Sequence, residues 1–162
     1  MRFEIVNKLE TELEKLSYEL RVELPRELKT AASHGDLSEN AEYDAAKERK
    51  HFVESRIAQL QKRISEILSI NLNAIPKDRV GLGSKVSLED LDSGEEVVFT
   101  FVFPEEVDPD LGKISLASPV GKSLVGREVG DEVLVVTPKG RKKFEIVELM
   151  TIHDQREARR DN

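Results

Sequence analysis

The stretch Ser33-His34-Gly35-Asp36 decides the fold, because it is the only good helix breaker between two long helical patterns. Upstream, Val6, Leu9, Leu13, Leu16 and Leu20 are spaced 3, 4, 3, 4; downstream, Val53, Ile57, Leu60, Ile64 and Ile67 are spaced 4, 3, 4, 3. Both are heptad seams, with Glu, Lys and Arg filling the faces between them. Two such seams can hide each other as one antiparallel pair, so the chain is expected to turn at 33–36. Gly35 can take the φ > 0 conformation that ends a helix. Asp36 or Ser38 can then cap the next helix through a side-chain oxygen. Pro25, inside the first helix, costs a hydrogen bond and predicts a kink one or two turns before the tip. A helix over residues 4–33 would be roughly 45 Å long, against the ~30 Å diameter of a small domain, so its far end is expected to project. From pattern alone, such a rod also has an ordinary reading as a coiled-coil spacer or dimerisation arm.

Beyond this hairpin the punctuation changes. Only Gly35 of the nine glycines precedes residue 81, and the others crowd the second half. Regular Gly and Pro mark strands and turns. Val86, Leu88, Val97, Phe99, Phe101 and Phe103 alternate with polar or smaller residues, as half-buried strands do. Residues 131–137 and 142–149 read as two more strands, joined by the turn sequence Pro138-Lys139-Gly140-Arg141. Val120 to Val125 fits one short helix. The fold class is therefore α+β. Residues 1–75 form a long antiparallel helical hairpin with its acidic tip at 33–43, residues 76–150 a small β-rich domain, and residues 151–162 a polar tail whose composition suits disorder.

Charge and composition exclude several function classes. The 162 residues carry 25 Lys and Arg against 32 Asp and Glu, a net charge of −7. Neither half is basic, so autonomous non-specific nucleic-acid binding, which needs clustered cations, is not expected. The absence of cysteine removes disulfides, thiolate zinc sites and a thiol nucleophile, and suits a reducing cytoplasm. No apolar run reaches the ~20 residues of a membrane helix, and Met1-Arg2-Phe3-Glu4 shows no signal-peptide core. Gly121-Lys122-Ser123 is no phosphate loop, since Leu116 stands where that motif needs glycine. His34, His51 and His153 lack metal-ligand spacing.

The informative stretch is Gly35-Asp36-Leu37-Ser38-Glu39-Asn40-Ala41-Glu42-Tyr43-Asp44. Asp36 and Glu39 are three apart at an expected helix start, which would make them neighbours on one face. Acids there also have an ordinary reading, because the helix dipole and capping favour them. Two exposed carboxylates alone are a poor Mg²⁺ site, since Mg²⁺ keeps waters and needs further ligands. Such a pair makes most sense as half of a site that a partner completes.

Residues 35–43, followed by Ala45-Ala46-Lys47, resemble the tip signature of the bacterial Gre transcript-cleavage factors, on the GreA side more than the GreB side. The second half agrees: Ile114-Ser115, Ser118-Pro119, Gly121-Lys122, Leu124-Val125-Gly126-Arg127, Val129-Gly130-Asp131-Glu132-Val133 and Thr137-Pro138 resemble the family's FKBP-like C-terminal domain. The resemblance implies a monomeric cytoplasmic accessory factor, not an enzyme, that binds RNA polymerase at its secondary-channel rim. The hairpin would reach the active centre and the nascent RNA 3′ end. Asp36 and Glu39 would help hold a Mg²⁺ shared with the polymerase, whose own active site cleaves backtracked RNA. Lys47 falls on an RNA-contacting position of the family, with Arg49 and Lys50 close by, and Ser118 and Pro119 match a polymerase-binding loop. Ala32 and Ala117 depart from the family pattern, at positions where other members carry Arg and an acidic or polar residue respectively. Two alternatives stand beside this reading. One is a non-cleaving, inhibitory Gre homologue in the same channel. The other is a coiled-coil adaptor or holdase, which would want an apolar tip, whereas Leu37 is the one large apolar side chain between Ser33 and Glu42.

Overall fold

The computed structural model describes residues 3–35 and 40–162. The chain divides into two compact units, Met1–Ile70 and Asn71–Asn162.

The first unit is the helical hairpin. Helix α1 (Glu4–Tyr18) runs through a π-helical turn (Glu19–Glu23) into α2 (Leu24–Ala32), and α3 (Ala41–Leu68) returns. The π turn is where the disturbance expected from Pro25 is absorbed. Pro25 has no N–H to donate and its ring crowds the preceding turn. The chain widens ahead of it, with the Leu24 N–H reaching back five residues to the Glu19 carbonyl. The buried seam comprises Ile5, Val6, Leu9, Leu24 and Ala31 on one arm and Ala46, Val53, Leu60, Ile64 and Ile67 on the other. Small Ala31 and Ala46 let the arms approach closely near the tip. Two cross-helix ion pairs set the register. Arg56 grips Glu12 with two hydrogen bonds of 2.8 and 3.1 Å. The Arg49 Nε lies 3.0 and 3.1 Å from the two Glu19 oxygens. The pairs stand one heptad apart on each arm.

The second unit is a five-stranded sheet of order β3-β2-β1-β5-β4. Its strands are β1 (Lys85–Asp90), β2 (Glu96–Phe101), β3 (Lys113–Ile114), β4 (Glu132–Thr137) and β5 (Gly140–Met150). β1, β2, β5 and β4 pair antiparallel with their neighbours, while the short β3 runs parallel to β2. The β4–β5 loop is only Pro138-Lys139, because Thr137 pairs directly with Gly140. The core gathers Val80, Val86, Leu88, Phe101, Val133, Val135, Phe144 and Ile146 on one sheet face, with Leu124 of α4 (Pro119–Leu124) packed among them. Gly121 has a purely steric reason to be glycine: a Cβ there would stand 2.5 and 2.6 Å from the carbonyl oxygens of Ser115 and Leu116.

Two expectations need correction. The boundary falls at Ile70/Asn71 rather than 75/76. Asn71 caps a short 3₁₀ turn over Leu72–Ala74, and His153 Nε2 lies 2.8 Å from the Ile75 carbonyl, so this segment joins the second unit. The tail expected to be disordered is instead helix α5 (Ile152–Arg160). Thr151 and Asp154 form a reciprocal capping box. The Gln155 side-chain amide donates to the Gly83, Met150 and Thr151 carbonyls. The composition was polar, but these polar groups bond particular backbone groups, both next to α5 and as far along the chain as Ile75 and Gly83.

Candidate functional site

The hairpin tip is built by closing one helix and opening the next. At the end of α2, the Ser33 N–H bonds the Lys29 and Thr30 carbonyls, and the His34 N–H bonds Ala31. Gly35 follows at φ +125°, a left-handed conformation that glycine adopts without strain. On the far side, Asn40 caps α3, its Oδ1 accepting the Glu42 and Tyr43 N–H groups at 3.1 Å. This replaces the expected caps, Asp36 or Ser38. The Asn40 amide also donates across the hairpin to the Ala31 carbonyl. One side chain thus fixes where α3 starts and ties that start to the end of α2. Sequence reasoning missed this role, although Asn directly ahead of a helical run is a legible cap signal.

Asp36 and Glu39 lie in the stretch 36–39, outside the described residues. Because the described α3 begins at Ala41, the spacing argument from its first turn does not carry over to them; the first-turn acids of α3 are Glu42 and Asp44. Among the described residues no group of three or more His, Cys, Asp or Glu converges in a way that could hold a metal ion.

The three candidate cations on α3 separate. Lys47 is exposed, with its ammonium 5.6 Å from the centre of the Tyr43 ring. Lys50, three residues on, is also exposed and neighbours Lys47 on the helix surface. Arg49 is engaged elsewhere. Its guanidinium bonds Glu19 and sits 5.1 Å from the Phe52 ring centre. The Glu19 hydrogen bond holds its pKa above the ordinary arginine value.

In the second unit, Ser118 caps α4. Its Oγ accepts the Gly121 N–H at 3.1 Å and donates to the Ser115 carbonyl at 2.6 Å. Pro119 occupies the first helical position, where its missing N–H costs nothing, and lies exposed. The Ser118 hydroxyl is therefore occupied in shaping the loop, and Pro119 supplies its accessible surface. Among the described residues, no helix is long and apolar enough to cross a membrane.

The N-terminal family model of the GreA/GreB transcription elongation factors matches residues 3–67, and the C-terminal model matches residues 75–151. The chain is 47% identical over 149 residues to the transcription elongation factor GreA of Clostridium botulinum (strain Alaska E43 / Type E3), covering 92% of this chain and 93% of that one. It is 45% identical over 141 residues to GreA of Trichlorobacter lovleyi, covering 87% and 89%. A crystal structure of GreA factor homolog 1 (Gfh1) of Thermus thermophilus aligns at 33% identity with a TM-score of 0.42, over 90% of this chain and 94% of that one. With both family models matched in order along most of its length, the chain belongs to the GreA/GreB family of transcription elongation factors.

Proposed function

We propose that this elongation factor is a cytoplasmic accessory protein that binds RNA polymerase and stimulates the polymerase's own active site to hydrolyse backtracked RNA. The observation that carries the reading is the pair of carboxylates, Asp36 and Glu39, within the bridge between a closed α2 and a capped α3. The arm beneath them is long: the 28 residues of α3 rise about 42 Å. The cross-helix ion pairs and the Asn40 bridge tie the two arms together beneath this stretch. In this reading Ser118 and Pro119 meet the rim of the secondary channel. Lys47 and Lys50 contact the nascent RNA near its 3′ end, with Arg49 acting first through its hold on Glu19.

The donor set fits Mg²⁺, a hard cation that takes oxygen ligands and readily keeps several waters. Asp36 and Glu39 would hold it together with the polymerase. Bound there, the ion supplies charge neutralisation at the phosphodiester and an activated water. The contribution of this chain is to deliver the two carboxylates beside the RNA end.

The test is transcript cleavage in stalled complexes with the cognate polymerase. The Asp36→Ala, Glu39→Ala double variant should lose cleavage by at least about 10–100-fold, the loss already seen on removing groups that merely orient metal ligands. Its affinity for polymerase, measured by competition with the parent chain, should stay nearly unchanged. Normal cleavage by the double variant would refute the tip assignment. A parent chain that slows nucleotide addition and releases no short RNA would establish the inhibitory reading instead.

A further inference from the structure

We infer that the free edge of β4, with the outer face of the β4–β5 hairpin, is a docking surface for an extended acidic segment of a partner protein. Among the described residues, β4 ends the sheet order and pairs only with β5. Backbone groups along a strand point alternately to either side, so half of those on β4 face away from β5. Among the described residues, none of the backbone hydrogen bonds outside the ladders involves residues 132–137. Edges of this kind are usually protected by charged side chains on the strand itself. Here Val133 and Val135 are buried inward, while Leu134 and Val136 face outward, each 49% exposed. The only charge on β4 is Glu132, at its first position.

The cations stand one strand back. On the outer face, Lys143 pairs with Leu134 and Arg141 with Val136, and Lys139 sits in the turn. All three are exposed, and among the described residues none makes an ion pair. Lys142, between them, points to the other face, where its ammonium lies 3.6 Å from the Asp90 carboxylate. Neighbouring strands lie about 4.8 Å apart, so a strand added to β4 would run roughly 9.6 Å from β5. That gap is within the combined reach of a long cation and a carboxylate.

The occupant follows from this chemistry. An added strand gains backbone hydrogen bonds from β4 and places alternate side chains on the outer face beside Leu134 and Val136. Acidic residues there would meet Lys139, Arg141 and Lys143. At the opposite end Glu132 faces Glu145 across the ladder, which disfavours acids and sets the register. Two exposed aliphatic side chains, with no aromatic on the outer face of either strand for a base to stack on, favour a protein segment over single-stranded nucleic acid. A second copy of the chain is disfavoured by the net charge of −7 on each.

The probe is a synthetic peptide of alternating Val and Glu, titrated into the full ¹⁵N-labelled chain. Amide shifts should concentrate in residues 132–143 and saturate, and raised salt should weaken binding. The Arg141→Glu, Lys143→Glu double variant should weaken it about tenfold, in keeping with two modest charge contacts. Leu134→Thr, tested separately, should also weaken it while the chain's circular dichroism stays unchanged. Absence of saturating shifts, or shifts elsewhere on the chain, would overturn the proposal. So would equal binding of a single-stranded oligonucleotide, or peptide-free dimerisation abolished by Leu134→Thr.

Discussion

Asn40→Ala isolates the residue that organises the tip without touching the acids. The substitution removes two connections at once. Loss of the N-cap acceptor for the Glu42 and Tyr43 N–H groups costs about 1 kcal/mol. Loss of the amide donor to the Ala31 carbonyl costs about 1 kcal/mol more. The sum, about 2 kcal/mol, falls on the hairpin unit. For a domain of that size each kcal/mol moves the melting midpoint by about 4–8 °C, so the helical transition should fall by about 8–16 °C. Far-ultraviolet circular dichroism reads it, since the hairpin dominates the helix signal. Asn40→Ser keeps a capping oxygen but cannot reach Ala31, and should show about half the shift. The cleavage assay supplies the functional arm: both variants should lose cleavage in the same order as stability, with polymerase affinity retained. A midpoint for Asn40→Ala within about 4 °C of the parent, the shift that 1 kcal/mol would give, would refute the two-bond account. Equal shifts for Ala and Ser would remove the cross-hairpin bond from it.

Other expectations are equally specific. Gly83→Ala should destabilise the second unit and loosen α5. Gly83 holds φ +81°, and a Cβ there would meet the Ile152 side chain at 2.9–3.1 Å; adding Ile152→Ala should recover part of the loss, read as hydrogen exchange in α5. Asp90 is held below the usual carboxylate pKa by hydrogen bonds from the Asp92 and Ser93 backbone and by Lys142. A carboxyl depressed in the folded state contributes stability above its unfolded pKa of about 3.9 and loses it as pH falls through the folded value. Asp90→Asn should therefore flatten the loss of urea stability below about pH 4. Glu12 and Arg56 should couple by about 0.2–1 kcal/mol in a double-mutant cycle, because the pair is well aligned yet solvent-exposed.

The heptad seams made the hairpin legible, because burial on a long helix repeats in the primary sequence. Strand alternation and the Pro-Lys-Gly turn did the same for β4 and β5. The parallel β3 was not legible: two residues carry no period, and its place depends on β2 supplying Thr100 and Phe101 as partners. The tail was misread because composition measures average polarity, whereas α5 depends on Thr151, Asp154 and Gln155 finding particular backbone groups. Among the candidate site residues, Lys47 and Lys50 stand exposed. Arg49 looked equivalent in sequence and differs because Glu19, thirty residues away, and the Phe52 ring engage it.

By itself, the sequence determined the two-part α+β organisation, the hairpin turn near Gly35 and the family signature that includes Asp36 and Glu39. These are local patterns and motifs, carried by neighbouring residues. Tertiary structure alone decided that Asn40 rather than Asp36 or Ser38 opens α3, that Pro25 is absorbed in a π turn, and that α5 docks on Gly83 and Ile75. It also decided that β4 ends the sheet beside Lys139, Arg141 and Lys143, which make no ion pair among the described residues. Each of these depends on which distant groups come within hydrogen-bonding or packing distance, a relation that the spacing of residues along the chain does not encode.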